Sequence, residues 1–160
     1  MMISFIIAEQ LPSLNDYINK LKSPNGKHTG AAFKSRIDNI CISYMLPFRQ
    51  QIKKACESPV IIHFEWIEKS KRRDIDNVYS AKKYILDAMQ KCGFIENDNY
   101  KHIKGVYDGI GYNGTNDCVI VSIIPLEEYE ELYTLMNEDI DRLKDELATL
   151  QKKKERVKNG

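Results

Sequence analysis

The sequence contains no uninterrupted apolar run of about 18 residues, the length from which a membrane-spanning helix is predicted. It also has no charged leader followed by an apolar segment, and its first apolar stretch, residues 2–8, is too short for a signal peptide. We therefore expect a soluble, cytoplasmic protein that has no membrane partner.

The four cysteines form no C-x-x-C pair, and none of the three histidines lies at zinc-ligand spacing from a cysteine. A zinc site is therefore not expected. A chain of 160 residues can bury a substantial core without disulfides or zinc. The cysteines are expected to be reduced core residues of a cytosolic protein; they are Cys41, Cys56, Cys92 and Cys118.

A dinucleotide site is also excluded, although residues 109–114 superficially match the glycine fingerprint of one. That fingerprint requires a strand before it and a helix after it, whereas this segment lies between two predicted strands. We interpret residues 109–114 as a hairpin loop and expect no small-molecule cofactor.

The net charge of +1 hides an uneven distribution. Residues 1–125 carry 17 Lys and Arg against 13 Asp and Glu, a net of +4, whereas residues 126–160 carry 7 against 10, a net of −3. The first part is compatible with a polyanionic partner, and the acidic tail masks this in the total.

The hydrophobic pattern predicts the order β-α-β-α-β-β, which is an α+β fold with a small mixed sheet. Residues 20–30 are polar and are predicted to form a loop, either a plain solvated loop or a mobile basic arm that grips a DNA backbone. The predicted strands cover residues 2–8, 59–67, 101–108 and 118–124, and the predicted helices cover 31–57, interrupted at Pro47, and 76–92.

The last part of the chain, residues 126–158, follows a different pattern. Apolar residues recur there at alternating steps of three and four, which is typical of a coiled coil; they are Leu126, Tyr129, Tyr133, Met136, Ile140, Leu143, Leu147 and Leu150. Self-association through this helix is favoured, and an amphipathic helix that folds back on its own domain is the alternative. We therefore divide the chain into a domain at 1–125 and a helix at 126–158.

The segment 71–77 places Asp74 and Asp76 two residues apart, directly after three cations. Close carboxylates repel each other unless a cation lies between them, and hard oxygen ligands suit Mg²⁺ or Mn²⁺. Neighbouring cations suit a phosphate substrate. The pattern indicates metal-dependent phosphodiester chemistry, although Asp76 could also be only a helix N-cap.

A helix over 76–92 would carry Asp76, Lys83 and Asp87 along the edge opposite its apolar stripe. This spacing selects Lys83 for the site, because the neighbouring Lys82 would point well away from it. Asp87 could orient Lys83, and a simple surface pair at i, i+4 is the alternative account of the same spacing.

The end of this helix is predicted at Gly93, since glycine commonly follows the last helical turn. The polar segment that comes next contains Asp98, and a turn there could return this carboxylate to the site. Ordinary turn chemistry is the alternative, because Asn and Asp favour turns in any case.

These segments resemble the RusA family of Holliday-junction resolvases, which are metal-dependent endodeoxyribonucleases. The resemblance covers roughly residues 5–125. It lies in RRDIDN at 72–77, AKKYILDAM at 81–89, GFIENDNYKHI at 93–103 and, in the first part of the chain, LPSLNDYI at 11–18. It implies a RusA-like fold and an activity that resolves four-way DNA junctions in recombination and repair.

By motif matching, the resemblance implies a catalytic site of Asp74, Asp76, Lys83 and Asp98, in which the three aspartates hold the metal. The implied cofactor is Mg²⁺, with Mn²⁺ as the alternative, and the implied partners are branched DNA and a second copy of the chain. Matching on residues 87–89 and 93–94 selects Lys83, although the gap after the acidic motif is longer than in the better-known bacterial members. The residues expected to bind nucleic acid are Lys69, Lys71, Arg72, Arg73 and Lys101.

Two other functions compete with this prediction. The chain could be a non-catalytic DNA-binding or coiled-coil interaction protein that keeps the fold, or a general nuclease of flaps and other branched DNA. A divalent-metal requirement for cleavage separates the first from a resolvase. A comparison of four-way, flap and linear substrates separates the second.

Overall fold

The computed structural model describes residues 1–131, 134 and 142. The chain divides into two compact units, Met1–Leu126 and Glu127–Gly160. Residues 126–131 are helical, which is the point at which the predicted tail helix begins. The apolar repeat positions from Tyr133 onward, and with them the coiled-coil prediction, lie outside the described residues.

The first unit contains a four-stranded sheet with the strand order β1-β4-β2-β3. Strand β2 is parallel to β3 and antiparallel to β4, and β1 is antiparallel to β4. The predicted α+β fold with a small mixed sheet is thus confirmed. The strands are β1 (Ile3–Ile7), β2 (Val60–Glu68), β3 (Ile103–Tyr112) and β4 (Cys118–Pro125).

One face of this sheet forms the core with the helices. Alternate side chains of β2, from Val60 to Trp66, are buried on that face. This suits a strand that lies between two other strands, β4 and β3. The apolar sides of the helices, including Cys41 and Ile85, complete the same cluster. The helices are α1 (Leu14–Lys22), α2 (Gly26–Met45), α3 (Arg49–Ala55), α4 (Ile75–Ser80) and α5 (Lys82–Lys91), with a 3₁₀ turn at Leu46–Phe48.

The interruption predicted at Pro47 is confirmed, because the 3₁₀ turn that contains this proline separates α2 from α3. The helix itself begins at Gly26, five residues before the predicted start. Among the residues that the structure describes, no helix is both long enough and apolar enough to cross a membrane.

The prediction of a loop over residues 20–30 is wrong except for a turn at residues 23–25, because α1 continues to Lys22 and α2 begins at Gly26. Ser13 stabilises the start of α1 through a reciprocal capping box with Asp16. Gly26 allows the two helices to meet closely, since a Cβ at that position would overlap the backbone carbonyl of Leu21. Local polarity alone did not reveal this helical hairpin.

The single helix predicted over 76–92 is also wrong, because the chain forms two helices that meet at Ala81. The amide of Ala81 donates to the carbonyl of Val78 at 3.1 Å, which is the tighter 3₁₀ pattern. The Ser80 hydroxyl donates to the carbonyl of Asn77 at 2.7 Å, a side-chain bond that competes with regular helix bonding.

The hairpin loop predicted at residues 109–114 is wrong as well. Gly109 and Gly111 lie inside β3, and Gly114, with φ of +72°, lies in the following turn. Strands β3 and β4 are not paired with each other, because β2 lies between them. The connection therefore crosses the end of β2.

Candidate active site

Two segments that are far apart in the sequence meet at the acidic motif. Asn15 in α1 donates its side-chain amide to the Oδ1 of Asn77 at 2.9 Å, across 62 residues of sequence. The backbone amide of Leu14 donates to the hydroxyl of Ser80 at 3.0 Å. The start of α1 is thus bonded directly to α4, the short helix that follows Asp74.

Three further hydrogen bonds, made by Tyr84 and Arg73, hold the chain on either side of this contact. The Tyr84 hydroxyl, which is buried, donates to the carbonyl of Ser13 at 3.1 Å. The guanidinium of Arg73 donates to the carbonyl of Leu11 at 3.0 Å and to the carboxylate of Glu68 at 3.1 Å. The residues before and after the two motif aspartates are therefore fixed to the N-terminal segment.

Asp74 and Asp76 are both exposed at the beginning of α4. Asp74 occupies the N-cap position, with φ of −66° and ψ of 143°, but its side chain makes no capping hydrogen bond. Asp76 lies two residues further on, in the first turn of α4, and is not the N-cap. Helix capping therefore does not account for either carboxylate, contrary to the simpler interpretation of the pattern.

Lys83 and Asp98 come together as an ion pair, with the lysine Nζ 3.0 Å from the Oδ2 of Asp98. The same Nζ lies 2.7 Å from the Oδ1 of Asp87. The hydrogen bond with Asp87 is the largest cause that raises the pKa of Lys83, burial opposes it, and the bond with Asp98 adds to the rise. Lys83 therefore stays charged beside two carboxylates.

The pKa of Asp87 is lowered. Burial alone would raise this pKa, but hydrogen bonds from Lys83 and Lys34 outweigh the burial. The Nζ of Lys34 lies 2.9 Å from the Oδ2 of Asp87. Asp87 is thus held between two cations and is not only a surface partner of Lys83.

The three predicted metal ligands fit Mg²⁺ in their chemistry, because all are carboxylates. Mg²⁺ commonly keeps several waters and uses only one or two protein carboxylates, and the exposed pair Asp74 and Asp76 supplies two. Among residues 1–131, 134 and 142, no group of three or more His, Cys, Asp or Glu side chains lies close enough to hold an ion. The three-carboxylate site therefore stays a prediction.

The residues predicted to contact nucleic acid differ in how many interactions they already make within the protein. Arg72, Lys69 and Lys101 are exposed, and the Nζ of Lys101 is 3.8 Å from the Oε2 of Glu96. The ammonium of Lys71 lies over the ring of Tyr112, 5.3 Å from its centroid.

Arg73 makes the most interactions of these cations, because its guanidinium bonds the carboxylate of Glu68 and the carbonyl of Leu11. Burial raises the pKa of Glu68, although the charge of Arg73 opposes the rise.

Sequence reasoning missed two carboxylates, Asp108 and Asp38, that pair with lysines of α2 and α5. Lys82 pairs with Asp108 of β3, whose carboxylate also accepts the indole N–H of Trp66 at 2.9 Å. Asp38 in α2 has a side chain that is only 1% exposed, and it pairs with Lys34 and Lys91. The i, i+4 spacing of Lys34 and Asp38 was the available signal.

No protein-family model matches the chain, and no curated protein matches it. Among solved structures, CetZ from Methanosaeta thermophila strain DSM 6194 aligns with 68% of this chain and 27% of its own length, at 14% sequence identity and a TM-score of 0.24. The chain therefore spans about a quarter of that protein. A likeness at this level carries no argument about fold or function.

Proposed function

We propose that this protein is a Mg²⁺-dependent, structure-specific endonuclease with a RusA-like fold that cleaves four-way DNA junctions. The observation that carries the proposal is the hydrogen bond between Asn15 and Asn77, together with the bond from Leu14 to Ser80. These bonds join the two segments whose sequences resemble the resolvase family. They support the idea that the segments form one site beside Asp74 and Asp76.

The proposed site combines the exposed carboxylates of Asp74 and Asp76 with the ion pair of Asp98 and Lys83. Asp74, Asp76 and Asp98 would hold the metal, and the chemistry that Mg²⁺ supplies when bound is activation of water and neutralisation of charge on the scissile phosphate. An ammonium carries three donors. Lys83 directs two of them to Asp87 and Asp98, which leaves one for a phosphate oxygen as negative charge develops.

The surrounding cations would position the DNA. Exposed Arg72 and Lys101, with Lys69 and Lys71, can contact the flanking phosphates, and such contacts hold a duplex without reading its sequence. A four-way junction has near two-fold symmetry, so a homodimer would present two equivalent sites to it.

The decisive experiment is cleavage of a synthetic four-way junction with Mg²⁺ by the wild type, Asp76→Asn and Glu57→Gln. Glu57 is an exposed carboxylate between α3 and β2, so its variant is a control for the loss of one surface charge. We expect paired symmetric nicks from the wild type and the control. Asp76→Asn should bind the junction without cutting it.

Tight binding with no cleavage by the wild type, in Mg²⁺ or in Mn²⁺, would refute the enzymatic proposal and leave a DNA-binding protein. Equal cleavage of four-way, flap and linear substrates would refute the specificity and leave a general nuclease. A second comparison, Lys83→Met, should lower the cleavage rate by about 10²- to 10³-fold if the ammonium stabilises transition-state charge.

A further inference from the structure

Six charged side chains alternate in sign across α2, α5 and the segment after α5. We call them the α2–α5 ion-pair chain. In order of contact they are Lys91, Asp38, Lys34, Asp87, Lys83 and Asp98. From Lys91 of α5 the ion-pair chain passes through Asp38, a buried carboxylate of α2, and ends at Lys83 and Asp98 of the proposed active site.

The burial of the three carboxylates decreases toward the site. The side chain of Asp38 is 1% exposed, that of Asp87 is 15% exposed and that of Asp98 is 28% exposed, while that of Lys83 is 48% exposed. A buried carboxylate is costly unless it is paired, so Asp38 fixes the cations that contact it. Lys83, at the exposed end, has no comparable restraint from packing.

Lys34 connects the buried end of the ion-pair chain to the exposed end. Its Nζ lies 3.0 Å from the Oδ2 of Asp38 and 2.9 Å from the Oδ2 of Asp87. The Oδ1 of Asp87 then accepts from Lys83 at 2.7 Å. Each oxygen of Asp87 thus faces a different cation, which fixes the orientation of its carboxylate.

We propose that Lys34 and Asp38 are positioning residues, which act through Asp87 to hold the Lys83 ammonium beside Asp98 in the orientation that the reaction needs. This inference rests on the proposed nuclease function, because that function gives Lys83 its role. Neither Lys34 nor Asp38 touches the reacting atoms. Their contribution is preorganisation, which makes catalysis sensitive to small displacements of the catalytic group.

Lys91 provides a matched control within the same ion-pair chain. It pairs with Asp38 as Lys34 does, but it makes no ion pair with Asp87 among the described contacts. Lys34→Met and Lys91→Met each remove one cation from the same buried carboxylate. Only Lys34→Met also interrupts the connection to Lys83.

The test measures kcat and KM for Mg²⁺-dependent junction cleavage by both variants. We expect Lys34→Met to lower kcat by about 10- to 100-fold with little change in KM, and Lys91→Met to keep the wild-type values. Lys34→Arg, which retains a cation between the two carboxylates, should restore most of the activity. In a Lys83→Met background, Lys34→Met should cause no further loss.

The inference would be overturned by an equal loss of kcat in the two methionine variants, or by a full additional loss from Lys34→Met in the Lys83→Met background. Either result would assign Lys34 to stability alone. Asp87→Asn is the second variant if Lys34→Met does not fold, because it cuts the same connection and leaves Asp38 paired with both lysines. It should show the same kcat loss.

A spectroscopic measurement separates this inference from the nuclease proposal. The side-chain ammonium signal of Lys83 can be observed by ¹H–¹⁵N NMR and assigned with Lys83→Arg. We expect it in the wild type and in Lys91→Met, and expect it to broaden or disappear in Lys34→Met. That pattern in a protein that cuts no junction would retain the positioning and refute the nuclease. An unchanged signal in Lys34→Met would refute the positioning.

Discussion

The adjacent lysines Lys82 and Lys83 show how one residue position decides the partner of a charged side chain. Successive residues of a helix point about 100° apart. Lys82 therefore pairs with Asp108 on the sheet, and Lys83 pairs with Asp98 in the segment after α5. Removing Lys82 would leave a half-buried carboxylate without its cation. Removing Lys83 would change the charge of the proposed site.

The Asp87→Asn variant should show how the ion pairs of Asp87 with Lys34 and Lys83 affect the pH dependence of the free energy of unfolding. The pKa of Asp87 is below its ordinary value of 3.8, so its contribution to the free energy of unfolding is present above that pH and is lost as the pH falls through the lowered value. The variant lacks the contribution at every pH. We expect it to be less stable than the wild type at about pH 7, and the difference to shrink as the pH falls below 3.8 and through the lowered pKa.

Urea denaturation of the two proteins at several pH values measures this difference. A difference that stays constant from neutral to acidic pH would show that Asp87 contributes packing but no charge interaction. Glu57→Gln is a suitable control, because Glu57 is exposed on the surface.

The thiol of Cys41 should be the least reactive of the four cysteines. Burial raises its pKa to about 12, and the nearby carboxylate of Asp38 adds to the rise, so very little thiolate forms at neutral pH. Burial also raises the pKa of Cys56, to about 11. Cys118 is less buried and should react faster.

Alkylation of the native protein at about pH 8, followed by mass spectrometry of peptides, tests this order. Cys41 should remain unmodified until the protein unfolds, and all four thiols should react at similar rates in denaturant. Rapid modification of native Cys41 would show that the contact between α2 and the sheet opens readily.

At the scale of elements, the hairpin of α1 and α2 contains Asn15, the residue of α1 that bonds Asn77 of the acidic motif. Its tight turn depends on two glycines of α2. A Cβ at Gly26 would overlap backbone atoms of Leu21, and a Cβ at Gly30 would overlap only the end of the Leu21 side chain. Backbone cannot move aside as a side chain can, so the two positions differ in their tolerance.

We expect Gly26→Ala to destabilise the protein by about 1–3 kcal/mol, because the overlap outweighs the helix-propensity gain of up to about 1 kcal/mol from replacing glycine with alanine. Gly30→Ala should be close to neutral, since the Leu21 side chain can rotate. Thermal unfolding of the two variants against the wild type provides the measurement. Equal stability of both variants would contradict the close approach of α1 and α2 at Gly26.

At the scale of the whole molecule, the described core residues all precede the acidic end of the sequence. The buried hydrophobic side chains of the described residues all lie between Phe5 and Ile123. The division after Leu126 coincides with the change from a net basic to a net acidic sequence. The core and the predicted self-association helix can therefore be tested separately.

A chain truncated after Leu126 should keep a cooperative unfolding transition, because it retains these core side chains. If residues 126–158 mediate self-association, as their repeat predicts, the truncated chain should sediment as a monomer and the full chain as a dimer. Circular dichroism and analytical ultracentrifugation measure both properties. A truncated dimer would place the dimer contact within residues 1–126, and loss of the transition would show that the core needs the tail.

Local patterns predicted most of the elements but not how they assemble. The strand from Val60 and the interruption at Pro47 were predictable, because alternation and proline geometry act over a few residues. The break at Ala81 was not, because the Ser80 hydroxyl that marks it also accepts a bond from Leu14, 66 residues away. The strand order escaped prediction for a similar reason, since nothing local states that β2 lies between β3 and β4.

For the candidate site, the sequence by itself determined the acidic motif and its cations, because these follow from residue types, and it predicted Lys83 from a helical spacing and a resemblance. Only the tertiary structure decided that Asn15 bonds Asn77 and that Lys83 bonds Asp98. It alone placed Asp38 in the interior with Lys34 beside Asp87. The physical reason is that a polar group bonds whichever partner the fold places beside it, from any part of the chain, and that a buried charge such as Asp38 requires such a partner.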